Sequence, residues 1–189
     1  MDNFVFKVYD IRSAGDEISL FRGKHYSGTV KQNEKIRFAG RTGGFDYFIE
    51  GVTETSIESF NPSPILDCIV VDIPYSGEPY DAKDKHMWVI DAENNPSMVV
   101  VDTFNISGHG IVVIGVIASG TIKVGDEMAI ITPGGTVKSV VIKGIEQFRK
   151  LLDIANEGDN VGVLLRGIKD KAEIPVGSLL CGKLNMPKP

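Results

Sequence analysis

The sequence predicts an all-β chain made of two tandem six-stranded barrels, with one short helical turn around Phe148–Ala155. Three observations carry that expectation. Short runs of β-branched and aromatic residues recur along the chain, Gly- and Pro-rich turns separate them, and the pattern of the first half returns in the second.

The repeat organises everything else. Ser27-Gly-Thr-Val-Lys31 matches Ser119-Gly-Thr-Ile-Lys123, a displacement of 92 residues. At the same displacement and without a gap, Gly23 falls on Gly115, Asp10 on Asp102, Val8 on Val100, Glu34 on Asp126 and Ile36 on Met128. After one inserted residue, Gly51-Val52 meets Gly144-Ile145. Identity is low, but small, acidic and apolar positions agree, as an old duplication would leave them. The boundary falls at the polar, Pro-containing stretch Ala92–Ser97, which divides the chain into domains 1–95 and 96–189.

In the second copy, Met98–Phe104 reads as a strand, Ser107–Gly110 as a turn, and Ile111–Ile117 as the next strand with a bend or bulge at Gly115. Val124-Gly-Asp126 is a hairpin turn in which Gly supplies positive φ. Glu127–Thr132 and Thr136–Ile145 follow, split by Pro133-Gly-Gly135, then Asn160–Ile168 and Ser178–Gly182. Phe148, Leu151, Leu152 and Ala155 fall at helical spacing, and Gly158 would stop that helix. The first copy offers Phe4–Ile11, Ser19–His25, Glu34–Ala39, Phe45–Val52, Ile65–Ile73 and Met87–Ile90, with polar Tyr75–Lys85 as an exposed loop. A closed barrel suits such strands because closure removes the unpaired sheet edges.

The formal net charge of −5 argues against a broad electrostatic nucleic-acid binder. Residues 1–95 hold 10 Lys/Arg against 16 Asp/Glu, whereas residues 96–189 hold 10 against 9, so an anionic partner would favour the C-terminal half. Cys68 and Cys181 each sit in an apolar run, which points to buried thiols rather than a disulfide. The N-terminus shows no signal-peptide pattern and no apolar run reaches membrane-spanning length; the expected location is cytoplasmic, with no membrane partner.

Catalytic signatures are sparse. His25, His86 and His109 have no neighbours at ligand spacing, so neither a metal site nor another cofactor is expected. Paired acids such as Asp16-Glu17 and Asp126-Glu127 flank turns, where carboxylates are usually solvated or cap amides. Gly177–Lys183 fits the first seven positions of a phosphate-binding loop. Leu184 then replaces the required hydroxyl, and Pro-containing residues leave no room for the helix that would aim its amides at phosphate. The match is read as chance, and no GTP is expected to bind this chain alone.

The most specific stretches are Val101–Gly115, Gly120–Asp126, Gly144-Ile-Glu-Gln-Phe-Arg-Lys-Leu-Leu-Asp153 and Gly158-Asp-Asn-Val-Gly-Val-Leu-Leu-Arg-Gly-Ile168. In order and spacing they closely resemble the second domain of elongation factor Tu, over about residues 97–184. The resemblance implies a translation-protein-type β-barrel. In the family this domain holds the aminoacyl end of a charged tRNA against a GTPase domain, and no GTPase domain lies within these residues. The N-terminal half resembles the barrel only through the repeat.

The resemblance also implies a site. Glu146 matches the glutamate that bonds the terminal ribose, Asn160 the asparagine lining the amino-acid pocket, Asp102 and Phe104 the acid and aromatic of that pocket, and Arg149 an arginine near the acceptor end. Ile114 stands where a threonine is usual and His109 where an arginine is usual. In the first copy Arg12 aligns with Phe104 and Thr53 with Glu146, and only Asp10 persists. Each residue has a purely structural alternative. Phe104 could be a core or rim aromatic, Glu146 and Arg149 a surface pair, Asn160 a satisfier of turn amides, and Asp102 a loop cap.

Three functions are consistent with this. The first is a non-catalytic binding module of elongation-factor type that engages a protein or ribonucleoprotein. The second is an RNA or aminoacyl-tRNA end binder using the C-terminal barrel. The third is an enzyme with a cleft between the barrels.

Overall fold

The structure is a computed structural model that describes residues 4–13, 19–28, 35–40, 43–48, 67–71, 87–91 and 95–184. It contains strands and one short 3-10 turn, with no helix among the described residues long and apolar enough to cross a membrane. The expected loop Tyr75–Lys85 and the side chain of Cys68 lie outside the described residues.

The N-terminal strands are β1 (Val5–Ser13), β2 (Ser19–Ser27), β3 (Lys35–Gly40), β4 (Gly43–Phe48), β5 (Asp67–Val71) and β6 (Trp88–Asp91). The C-terminal strands are β7 (Ser97–Val99), β8 (Asp102–Ile106), β9 (Gly110–Ser119), β10 (Thr121–Lys123), β11 (Glu127–Ile131), β12 (Val137–Gln147), β13 (Lys150–Leu152), β14 (Ile154–Asn156), β15 (Asn160–Arg166) and β16 (Leu179–Cys181). A 3-10 turn, Lys171–Glu173, precedes β16.

In the C-terminal half, β11, β16, β7, β9, β15 and β12 pair in that order, and β12 pairs back with β11. That closes a six-stranded barrel. Strict alternation drives it. Along β9 the side chains of Ile111 and Val113 point inward and are buried, while Val112 and Ile114 point outward. Met98, Ile130, Ile142, Val163 and Leu180 bring the other strands to the same interior cluster. The turn at Val124–Asp126 forms, with Gly125 at φ 96° and the Asp126 carboxylate accepting the Lys123 amide at 2.8 Å, but it is not the expected hairpin, because β10 pairs with β14 and β11 with β12 and β16.

The expected helical turn at Phe148–Ala155 does not form. β12 and β13 instead make a two-residue hairpin, with Gln147 opposite Lys150 and Glu146 opposite Leu151, and β14 then pairs with β10. Phe148 and Arg149 occupy the turn at φ 49° and 65°. An eight-residue helix is marginal without a buried face. Here Phe148 and Leu151 are 87% and 83% exposed, so the helical spacing of apolar residues had no core to meet. The sequence expectation at Gly115 also shifts. Gly115 pairs regularly with Val161, and the irregularity lies in the β7–β9 ladder between Ser97 and Met98. The glycine is needed because a Cβ there would fall 2.3 Å from the Val99 carbonyl oxygen.

The N-terminal strands pair in the order β4-β3-β6-β1-β2-β5. Replacing each by its counterpart in the repeat yields β12-β11-β16-β7-β9-β15, the C-terminal ring opened between β12 and β15. Register agrees as well. Val5↔Ser27 and Phe6↔His25 recur as Ser97↔Ser119 and Met98↔Ile117, including the shift between the two pairs. Asp10↔Arg22 recurs as Asp102↔Ile114, and Arg37↔Ile90 as Ala129↔Cys181. β4 and β5 do not pair with each other among the described residues, so the second ring is not closed there.

The two sheets meet over a separate apolar cluster. Val5, Ala39, Trp88 and Ile90 from the first half pack with Val99, Ala118, Ile131 and Leu179 from the second. The Trp88 indole donates to the Gly177 carbonyl at 3.0 Å, and the Arg37 guanidinium donates to the Ala118 carbonyl at 2.8 Å while pairing with Glu157.

Candidate functional site

The seam consumes the outer surface of β7, β11 and β16. It also takes in Ala118 at the end of β9 and Val137 at the start of β12, and the residues singled out from the sequence lie on the outer face of β8, β9, β15 and β12.

Ladder register places them. Asp102 on β8 is opposite Ile114 on β9, Ile114 is opposite Gly162 on β15, and Gly162 is opposite Glu146 on β12. These four form one lateral row across the sheet. The next row runs Phe104, Val112, Leu164, Gly144. Asn160 sits two residues before Gly162 on the same face of β15. With strands about 4.8 Å apart, Asp102 and Glu146 stand roughly 14 Å apart at the two sides of a shallow trough. Gly162 forms its floor: a Cβ there would reach Val112 Cγ1 at 3.4 Å. Ile114, Val112 and Leu164 are half-buried and line it.

The side chains at the rims are available. Asp102, Glu146, Arg149 and Asn160 are exposed, and Phe104 is 45% exposed, which makes it a rim aromatic rather than a core one. The structural alternatives fare differently. The carboxylate that satisfies turn amides is Asp159, which accepts the Asn156 amide at 2.8 Å and the Gln147 side chain at 3.3 Å; that task does not fall to Asn160. Asp102 accepts the amide of Thr103, its own neighbour, at 2.7 Å. Arg149 projects from the β12–β13 turn, one strand beyond the row, and no Glu146–Arg149 ion pair forms among the described residues. So four of the residues share one face, and Arg149 stands at its edge.

Sequence reasoning missed Gly162, whose lack of a side chain opens the trough. Its signal was a glycine at an outward position of an otherwise apolar strand. It also missed the tie from the N-terminal half. Arg37 pairs with Glu157, in the turn that leads into β15 and Asn160.

The groups whose ionisation is displaced lie off the trough. Hydrogen bonds from Lys138 and from the Asp170 and Lys169 amides hold the Glu173 carboxyl down at about 2. Lys183 lowers Glu127 in the same way. Burial alone pushes the Cys181 thiol up to about 12, in keeping with the expected buried thiol. No group of three His, Cys, Asp or Glu side chains suited to a metal ion occurs among the described residues.

The segment Gly177–Lys183 is not a phosphate loop. Leu179–Cys181 is strand β16, paired on one side with β7 and on the other with β11. The Gly182 amide donates to the Pro96 carbonyl and the Asn95 side chain, each at 3.0 Å.

Among solved structures, the chain is similar to translation elongation factor SelB from Methanococcus maripaludis in its apo form, at 34% identity and a TM-score of 0.43, over 49% of this chain and 19% of that one. The chain thus spans about a fifth of the length of that factor. Residues 110–181, which run from β9 to the end of β16, match the family model for elongation factor Tu domain 2, and the C-terminal barrel is similar to that domain.

Proposed function

We propose that the C-terminal barrel is a non-catalytic binding module of translation-factor type, which engages a protein or ribonucleoprotein partner through the outer face of β8, β9, β15 and β12. The observation that carries this reading is the single row Asp102–Ile114–Gly162–Glu146, with Phe104 and Asn160 beside it. Such a surface offers an apolar floor with carboxylates at both sides, suited to a partner that presents an apolar or planar group together with hydroxyl or amine donors. An interdomain enzyme would need an open cleft, whereas Trp88, Val99, Ile131 and Leu179 pack the halves together.

Capture from a native cytoplasmic extract tests the reading. The wild-type chain should retain a defined protein or ribonucleoprotein, and Gly162→Leu, which fills the trough, should lose it. Equal retention by both would sink the assignment of this face.

A second reading has its own support. Glu146 and Asn160 lie on the same face as a rim aromatic, as an RNA 3′ end with an attached aminoacyl group would require. In that case Glu146→Ala should weaken binding of aminoacyl-tRNA more than that of uncharged tRNA. No measurable binding of either RNA by the wild-type chain would remove it.

A further inference from the structure

The seam between the halves is built from equivalent positions. By the shared strand order and register, Lys7 corresponds to Val99, Tyr26 to Ala118, Arg37 to Ala129 and Trp88 to Leu179. All of these residues lie in or against the seam: the four C-terminal residues and Trp88 are members of its cluster, Tyr26 packs on it, Lys7 stacks 4.8 Å from the Trp88 ring centroid, and Arg37 donates across it to Ala118. Each half therefore contributes equivalent positions to the seam, although β3 and β4 lie along β9 with no comparable approach of β11 and β12 to β2 among the described residues.

The patches are alike in position but unlike in size. In these four pairs the N-terminal half carries the large side chain and the C-terminal half the small one; Ala39 against Ile131 is reversed. Two C-terminal patches facing each other would leave voids where Ala118 and Ala129 meet. Two N-terminal patches would bury two lysines, two arginines and two tryptophans against one another. The mixed pair sets large side chains against small ones and gives Arg37 its partners across the seam, Ala118 and Glu157, whereas Lys7 is held within its own half, donating to the Met87 carbonyl at 3.1 Å.

We infer that the N-terminal half is a dedicated, size-matched partner for the β7–β11–β16 surface of the C-terminal barrel, held by that surface and not by the connecting chain. Its chemistry is that of a second copy of the barrel, converted by large-for-small exchange into one that binds the original and not itself. Its role is to cover this apolar surface.

The test uses the full chain with a protease site inserted at residues 92–94. After cleavage the halves should co-elute one-to-one in size exclusion at micromolar concentration. Their separation, or pairing of the C-terminal half with itself, would overturn the inference, and this measurement needs no core substitution. Leu179→Trp, which sets large against large, should weaken re-association by about thirtyfold or more, as for a central interface residue. Adding Trp88→Leu to it exchanges the two sizes across the seam and should recover most of that loss. A double variant no better than the single one would show that size matching does not hold the halves together.

Discussion

Gly23 and Gly115 occupy equivalent places in the two halves, and each admits a neighbouring backbone that a side chain would exclude. A Cβ on Gly23 would lie 1.7 Å from the Lys7 carbonyl oxygen, and one on Gly115 would lie 2.3 Å from that of Val99. Backbone cannot move aside as a flexible side chain can. Gly115→Ala should therefore cost about 2 kcal/mol or more, lowering the melting temperature by roughly 4–8 °C. Gly23→Ala should cost at least as much. Thermal unfolding followed by circular dichroism measures both. A loss at Gly115 with none at Gly23 would mean that the two halves do not share this packing.

The Phe148–Arg149 turn stores strain. Both residues are non-glycine at positive φ, each at a cost of about 1 kcal/mol, and Phe148 is almost fully exposed. Replacing the pair by Asn-Gly (Phe148→Asn with Arg149→Gly) suits the turn and should raise the melting temperature by about 3–6 °C. If the turn contacts the partner, the same variant should bind it less well while being more stable, a combination that calorimetry and capture can resolve together.

Acid should act through Glu173. Its carboxyl titrates at about 2 in the fold, below its ordinary value of 4.5, because Lys138 and two amides favour the charged form. A depressed carboxylate contributes stability above its unfolded value and loses it as pH falls towards the folded one. Glu173→Gln should therefore narrow the stability difference between pH 6 and pH 2.5, as read from urea midpoints. An unchanged difference would place the acid sensitivity elsewhere.

Cys181 is completely buried in the seam, and burial raises its pKa to about 12. Thiolate, not thiol, is the reactive form. Labelling of Cys181 by a thiol reagent at pH 8 should be at least a hundredfold slower in the native chain than in denaturant, on the order of its lost thiolate fraction. Leu179→Trp, which disturbs the seam, should speed labelling of Cys181 without denaturant.

GTP should show no saturable micromolar binding in a nucleotide titration. The amides of a phosphate loop must be free to point at the ligand, whereas the Gly182 amide is already bonded to Pro96 and Asn95, and Leu179–Cys181 is paired on both sides. Saturable binding would require β16 to leave the barrel.

Much of the fold was legible because strands announce themselves locally. Alternation along Ile111–Ile117 placed β9 to within two residues, and Gly125 marked the turn between β10 and β11, but these strands pair with β14 and with β12 and β16, not with each other. The helix expected at Phe148–Ala155 failed for a reason no local window contains. Spacing shows which side chains could share a face, but not whether a core lies opposite that face. The candidate residues were named through resemblance, and the structure puts Asp102, Phe104, Glu146 and Asn160 on one face. Gly162 was not among them, because its place depends on the residues of the neighbouring strands, Glu146 on one side and Ile114 and Asp102 on the other.

The sequence by itself determined the strand class, the pattern matches at a displacement of 92 residues and the set of residues worth testing, since each depends on composition and order along the chain. Only the tertiary structure decided that Asp102, Gly162 and Glu146 form one row, and that Trp88 and Leu179 sit at matching places in a shared seam. Both are matters of register. A one-residue slip of any strand would turn these side chains to the opposite face, and register is set by the closed ring as a whole rather than by any segment of it.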